Sequence, residues 1–262
     1  SKTAKGRAIQ NLINIEQDDK VKAFINTQDL KDEEYINSHY VIMATKKGQV
    51  KKTLLEQYSR PRANGINAIT IKDEDELLEA KLTTGNSQIL LAVKSGKAIR
   101  FEEDKTRPMG RSASGVRGIT LNGPSDEVIG MVSVSDSETE ILVVSENGYG
   151  KRSSLDDYRT TNRGGKGVKT LSITDKTGDL VSIKNVSDLD DLMIINKSGI
   201  AIRMDVADLR VMGRATQGVK LINLKGSDTI AAVAKVMKDD EEISEVSEDD
   251  LPTSETDGTN LE

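Results

Sequence analysis

Apolar residues come in short bursts at a fixed interval along this chain. Four segments align: VIMATKKGQVKKTLL from Val41, ILLAVKSGKAIRFEE from Ile89, ILVVSENGYGKRSSL from Ile141 and LMIINKSGIAIRMDV from Leu192. In each, an apolar run is followed by x-Gly and a second short run. That is the mark of a β-hairpin whose tight turn needs the positive φ that glycine tolerates. The central glycines, Gly48, Gly96, Gly148 and Gly199, are 48, 52 and 51 residues apart. A second register follows in GINAITI, GVRGITL, GVKTLSI and GVKLINL, opening at Gly65, Gly115, Gly167 and Gly218. Positions four and six residues beyond each of these glycines are apolar, as in Ile119 and Leu121, and the period of two predicts a half-buried strand. A last apolar run closes each unit: ELLEAKLT, EVIGMVSV, DLVSIKNV and TIAAVAKV.

Each unit therefore predicts four strands, and repeats of this length with four strands predict propeller-like blades in an all-β fold. The expected full blades span 41–84, 89–136, 141–188 and 192–238. Ahead of them GRAIQNLINI from Gly6 matches the third strand and KVKAFINT from Lys20 the fourth, giving a half blade over 1–28. A half blade leaves strand edges unpaired, so its missing strands are expected upstream of Ser1. The acidic stretch Asp29 to Tyr40, which holds His39, reads as a loop insertion.

Charge adds an asymmetry. The formal net charge is -6, but residues 239–262 carry eleven acids and no base. Without them 37 bases face 32 acids, so the body, 1–238, is net positive. The tail has no aromatics and too little apolar surface to offset ordering entropy, which predicts disorder. It serves either solubility or, as a tethered polyanion, competition for a basic surface on the body.

The bases keep register with the blades. Four residues after each hairpin glycine stand Lys52, Arg100, Arg152 and Arg203, with Lys51 and Lys151 beside two of them. Eight and four residues before the second glycine stand Arg107 and Arg111, Arg159 and Arg163, and Arg210 and Arg214. The first unit has a loop two residues shorter, with Arg60 and Arg62. Two residues after the second glycine come Arg117, Lys169 and Lys220, with Asn67 in the first unit, and Lys166 precedes Gly167. One cation per blade at one edge predicts a curved track for a stiff polyanion, contacted through phosphates and so sensitive to salt rather than sequence. With only two Phe, five Tyr and no Trp, stacking on single strands is poorly supplied, which favours duplex.

Catalytic readings find little. No Cys excludes thiolate metal sites, disulfides and Cys nucleophiles. A lone His39 in an acidic loop argues against a triad. Asn162 to Gly167 is glycine-rich but lacks phosphate-loop spacing, leaving a tight turn or close backbone approach to a phosphate. Asp188, Asp190 and Asp191 read as a solvated turn, and Tyr58 and Tyr158 as equivalent packing positions. No apolar run approaches a spanning helix and no signal-peptide core opens the chain, so a soluble cytosolic protein is expected.

The strings VKKT, GVRGI, ENGYGKR, TNRGGKGV and MGRATQGVKLI, in this order, closely resemble the C-terminal domain of bacterial DNA gyrase A. The resemblance covers residues 1 to about 238. It implies a β-pinwheel, a disc whose blades exchange strands, with a basic rim that wraps double-stranded DNA for ATP-dependent negative supercoiling. It implies partners in the rest of gyrase A and in gyrase B, a cytoplasmic, nucleoid-associated location and no membrane. It also implies no cofactor, metal or catalytic residue here, since ATP, Mg2+ and the cleaving tyrosine belong elsewhere in the holoenzyme. The family's box, Q-[RK]-R-G-G-[RK]-G, has its nearest match at Thr161 to Gly167, where Arg163 to Gly167 fit in an internal blade. Alternatives are the equivalent domain of topoisomerase IV and a propeller scaffold for acidic protein partners.

Overall fold

The structure is a computed structural model, and it describes residues 19–62, 64–135 and 140–237. The match from Gly6 and the acidic tail 239–262 lie outside the described residues. In chain order the elements are α1 (Glu33–Ser38), β1 (Tyr40–Thr45), β2 (Gln49–Leu54), β3 (Leu77–Thr83), β4 (Gln88–Val93), β5 (Lys97–Glu102), β6 (Val116–Arg117), β7 (Val128–Val134), β8 (Glu140–Ser145), β9 (Tyr149–Ser154), β10 (Val168–Lys169), β11 (Leu180–Val186), β12 (Asp190–Asn196), β13 (Ala201–Asp205), β14 (Val219–Lys220) and β15 (Ile230–Met237). No described helix is long and apolar enough to cross a membrane.

The four hairpins form where the glycine pattern places them: β1 with β2, β4 with β5, β8 with β9 and β12 with β13. The closing apolar runs become β3, β7, β11 and β15, each antiparallel to the first strand of its own hairpin. These four strands also touch one another in succession and so make the inner edges of the sheets. The first hairpin strands β1, β4 and β8 are buried on both faces, and consecutive residues such as Leu90 and Leu91 or Ile141 and Leu142 are completely enclosed.

The third strand is shorter than the periodicity predicts, and its owner is the preceding unit, as the resemblance to a strand-exchanging β-pinwheel implies. Only two residues of the copies from Gly115, Gly167 and Gly218 pair, as β6, β10 and β14, and they pair with the hairpin of the preceding unit, while the copy from Gly65 forms no strand. The sheets are therefore β3-β1-β2-β6, β7-β4-β5-β10 and β11-β8-β9-β14, with β15-β12-β13 three-stranded among the described residues. Beyond the two paired residues, the exchanged segment crosses the preceding hairpin turn. Gly48 O accepts from Gly118 N at 2.8 Å, Gly96 O from Thr170 N at 2.8 Å and Gly148 O from Leu221 N at 2.9 Å. The apolar residues after that point, including Ile119 and Leu171, sink into the core between blades.

In the second, third and fourth units the second glycine is required for this crossing, whereas Gly65 of the first unit has open space around it. Gly115, Gly167 and Gly218 have φ of +88°, +70° and +79°. A Cβ on any of them would stand 2.5 Å from a carbonyl oxygen of the preceding hairpin: Val50 O, Ala98 O and Gly150 O respectively. Positive φ and the absence of a side chain are both required there.

Two expectations for the first unit are corrected. Asp29 to Tyr40 is not merely a loop, because it contains α1. Asp32 caps that helix, its Oδ1 accepting from Glu34 N at 3.0 Å and Tyr35 N at 3.2 Å, with Glu33 and Glu34 in the first turn where the helix dipole favours acids. Tyr35 and Ile36 pack with Val41, Met43 and Leu55. The run from Lys20 to Thr27 forms no strand. Its Ile25 packs against that cluster, and Lys22 Nζ pairs with Glu76 Oε2 at 2.8 Å.

Cations staple one blade to the next. Lys52, Arg100 and Arg152 occupy one repeat position on β2, β5 and β9. The backbone of each pairs, parallel, with the following unit's loop at Pro108, Thr160 and Val211. Their side chains then reach carbonyls just past the following hairpin. Lys52 Nζ donates to Glu103 O at 3.3 Å and lies 3.6 Å from the buried Glu103 Oε1. Arg100 Nη1 donates to Leu155 O at 2.7 Å and Tyr158 O at 3.0 Å. Arg152 donates to Leu209 O and Ala207 O, and pairs with Glu140 and Asp188. Beside them, Lys51 Nζ donates to Ala68 O and Arg111 O, and Lys151 Nζ to Gly213 O. A backbone carbonyl in a dry boundary is costly to leave unpaired, and a charged donor makes the stronger bond.

The packing can be tested at a glycine and at a pair of lysines. Gly167→Ala should lower unfolding free energy in urea by about 2 kcal/mol or more through left-handed strain and overlap, whereas Gly110→Ala, with open space around it, should be neutral. Burial pulls both Lys51 and Lys151 down to about 8 from 10.5; the Arg111 charge adds to this at Lys51, while at Lys151 Asp157 opposes it and Arg214 adds to it. The unfolded chain thus binds more protons between about pH 8 and 10.5, so these lysines contribute more stability as pH rises through that window. The stability difference between the native chain and Lys51→Met/Lys151→Met should therefore shift in the native chain's favour from pH 8 to 10.5; a flat difference would refute the depressed values.

Candidate nucleic-acid interface

The eighteen sequence-selected cations separate into three groups. Lys51, Lys52, Lys151 and Arg152 are buried, at 0%, 4%, 1% and 7% exposure, and Arg100 is half-buried with Nε on Gln88 Oε1 and Nη1 on two carbonyls. Expected as phosphate contacts, they are instead turned toward carbonyls of the neighbouring units and hold blades together. Periodicity marked them rightly as equivalent, but a packing requirement repeats with the fold just as a binding requirement does.

A second group is half-buried. Arg163 donates from Nε to Lys105 O at 2.9 Å and from Nη1 to Arg117 O at 3.0 Å. One unit later, Arg214 donates to Asp157 O at 2.8 Å and Lys169 O at 2.6 Å. The two sets of acceptors occupy the same repeat positions. Arg163 and Arg214 thus clip the long loop onto the preceding unit, and Arg111 shares their position. Sequence reading missed Gln57 and Asp157, whose side-chain oxygens accept from Arg111 N at 3.2 Å and Arg214 N at 3.3 Å. The available signal was a polar residue nine positions after the hairpin glycine.

The third group is exposed: Arg60, Arg62, Arg107, Arg117, Arg159, Lys166, Lys169, Arg203, Arg210 and Lys220. Arg203 on β13 also pairs with Asp191 Oδ2 at 2.5 Å. Strand exchange gives six of the others a common address. Arg117, Lys169 and Lys220 sit on β6, β10 and β14, the outermost strands of the first three sheets. Arg107, Arg159 and Arg210 immediately precede the loop residues that bridge to β2, β5 and β9. Each of these three sheets therefore carries one exposed cation from each register on its outer edge, both supplied by the following unit.

The remaining candidates are accounted for structurally. Gly164 N donates to Gly118 O at 2.6 Å, Thr120 N to Gly165 O at 2.9 Å and Thr120 Oγ1 to Gly164 O at 2.7 Å, so the glycine-rich loop spends these backbone groups on its neighbour. Tyr58 Oη donates to Ala68 O at 3.1 Å, and Tyr158, wholly enclosed, bonds the equivalent Thr170 through its hydroxyl. Burial raises both phenols, Tyr158 to about 12. The Asp188 to Asp191 turn is not simply solvated: Asp190 and Asp191 are buried, Asp190 accepts from Ser187 N at 2.8 Å, and Asp188 pairs with Arg152. Among the described residues no cluster of His, Cys, Asp and Glu could hold a metal ion.

The family described as DNA gyrase C-terminal domain, beta-propeller, matches residues 39–84, 88–135, 139–187 and 190–237, one match per hairpin unit. DNA gyrase A of Staphylococcus aureus strain NCTC 8325 / PS 47 is 43% identical over 260 residues, covering 99% of this chain and 29% of the relative. That of strain MRSA252 is 44% identical over 260 residues, covering 99% and 28%. The chain thus spans under a third of the length of these relatives. Among solved structures, the C-terminal domain of DNA topoisomerase IV superposes with a TM-score of 0.81 at 24% identity, covering 88% of this chain and 71% of that one. A DNA gyrase A C-terminal domain gives 0.77 at 24% identity, covering 90% and 77%, so both share the fold. With the family matched across all four units and strand exchange between them, this chain belongs to the DNA gyrase C-terminal domain family.

Proposed function

We propose that this domain binds duplex DNA along the outer edges of its successive sheets and bends it, as the DNA-wrapping module of a gyrase that introduces negative supercoils at the expense of ATP. The observation that carries the reading is the pairing of exposed cations, Arg107 with Arg117, Arg159 with Lys169 and Arg210 with Lys220, at one place on each of three consecutive outer edges. Bending 20 to 30 base pairs by 40 to 90° costs about 1–6 kcal/mol in elastic estimates, and phosphate contacts from several blades offset that. Such contacts read the backbone, so binding falls steeply with salt and depends little on sequence. The domain acts without catalytic residues, metal or cofactor of its own. Its partners are the rest of gyrase A and gyrase B, and it works in the bacterial cytoplasm on nucleoid DNA.

Replacing Arg159, Lys169, Arg210 and Lys220 by Gln should weaken duplex binding uniformly across sequences and reduce the slope of log affinity against log salt by about one per lost phosphate contact. The same variant should lose its effect on circularisation of a short duplex. Arg100→Met should instead lower thermal stability and leave the salt slope of the folded domain unchanged. Unchanged duplex affinity and slope in the fourfold variant would remove the outer edge as the interface.

A further inference from the structure

Arg111 breaks the rule its repeat equivalents obey. The Arg163 and Arg214 guanidinia are each clipped to two carbonyls of the preceding unit. Arg111 keeps the N–H contact that Arg214 makes, here to Gln57 Oε1 at 3.2 Å, and its carbonyl accepts from Lys51 Nζ. Among the described residues nothing accepts a hydrogen bond from its guanidinium. It lines instead a cleft of about 520 Å³ together with Arg62, Gln57, Asn67 and Ser112. The cleft has no acid in its lining, and the buried Lys51 ammonium bonds the Arg111 carbonyl.

The sequence explains the exception. The loop before Gly65 is two residues shorter than in the other units, Asn67 stands where they carry a cation, and Gln57 stands where the third unit has Asp157. At the next boundary the arginine in the position of Arg111, Arg163, is already engaged by Lys105 O and Arg117 O. Two guanidinia in one recess with no carboxylate repel each other, and planar forks of this kind match the oxygens of a phosphate. The charge of Arg111 also helps depress Lys51, after burial, which an anion in the recess would relieve.

We propose that the Arg62–Arg111 cleft between the first two complete units is a phosphate site, occupied by a backbone phosphate of bound duplex. It rests on the DNA reading above and adds a fixed point to it: one phosphate gripped in a recess, where the outer-edge cations only line a path. The same chemistry would accept a free phosphate compound, and inorganic pyrophosphate serves as the probe for that source.

The test compares the native chain with Arg62→Gln/Arg111→Gln, with Arg62→Gln alone as a surface change that spares packing, and with Arg159→Gln/Arg210→Gln. Pyrophosphate is titrated while the arginine Nε–Hε NMR signals are followed, and duplex affinity is measured across salt. The cleft variant should keep the native thermal midpoint, unlike Arg214→Gln, and should lose the pyrophosphate response. It should also lose duplex affinity by about tenfold, with a salt slope shallower by about two, and Arg62→Gln alone should lose part of each. Loss of the pyrophosphate response with native duplex affinity would overturn the DNA phosphate and assign the cleft to a free phosphate compound. No pyrophosphate response in the native chain, with native duplex affinity in both cleft variants, would overturn the site altogether. If Arg159→Gln/Arg210→Gln binds duplex normally while the cleft variants do not, the outer-edge reading fails and the cleft stands.

Discussion

A cation enclosed between two blades and hydrogen-bonded to main-chain oxygens of the neighbouring unit is the interaction on which this architecture turns. Desolvating a guanidinium or ammonium is expensive, and only several well-placed acceptors make the position tolerable. Lys52, Arg100 and Arg152 find them in the chain that leaves the following hairpin, while their own backbones hold the following unit's loop. The same residue thus fixes the neighbouring loop from one side and the neighbouring turn from the other. Removing the charge would orphan carbonyls on both units, so the blade angle is set by groups that have nowhere else to go.

The exchanged segments depend on that boundary. They can lie across the preceding turn only because the second glycine brings main chain within contact distance of main chain. Once there, they carry Arg117, Lys169 and Lys220 to the outermost strand of a sheet they do not otherwise belong to. Structural cations and solvent-facing cations therefore differ by a few residues in sequence and by the width of a sheet edge in space. The buried set contributes rigidity, and the exposed set contributes a field that counterions can screen.

Much of this was legible in the sequence. The hairpins, their glycines and the inner strands follow from the apolar bursts, because a period of two and a positive-φ turn leave few alternatives. The equivalence of the basic positions was legible too. Their direction was not: Lys52 and Lys169 look alike as letters, and only the location of carbonyl acceptors, which no side-chain pattern reports, tells which one is enclosed. Periodicity counts along the chain and so places the third strand in its own unit; only the family resemblance implies the exchange by which hydrogen bonding passes it to a neighbour. Helix α1 was hidden inside a polar stretch too short to show a helical period, although Asp32 ahead of two glutamates is a capping signal.

Strand exchange also decides where such a chain can be lengthened or cut. No sheet among the first three is completed by its own unit, so the natural building block runs from one exchange glycine to the next rather than from one blade to the next. Grafting or deleting a block bounded at Gly115, Gly167 or Gly218 keeps every edge covered, because each donor segment meets a hairpin of the same design. A cut at a visible gap between blades would strip one sheet of its border strand and leave a sticky flank open to neighbouring molecules.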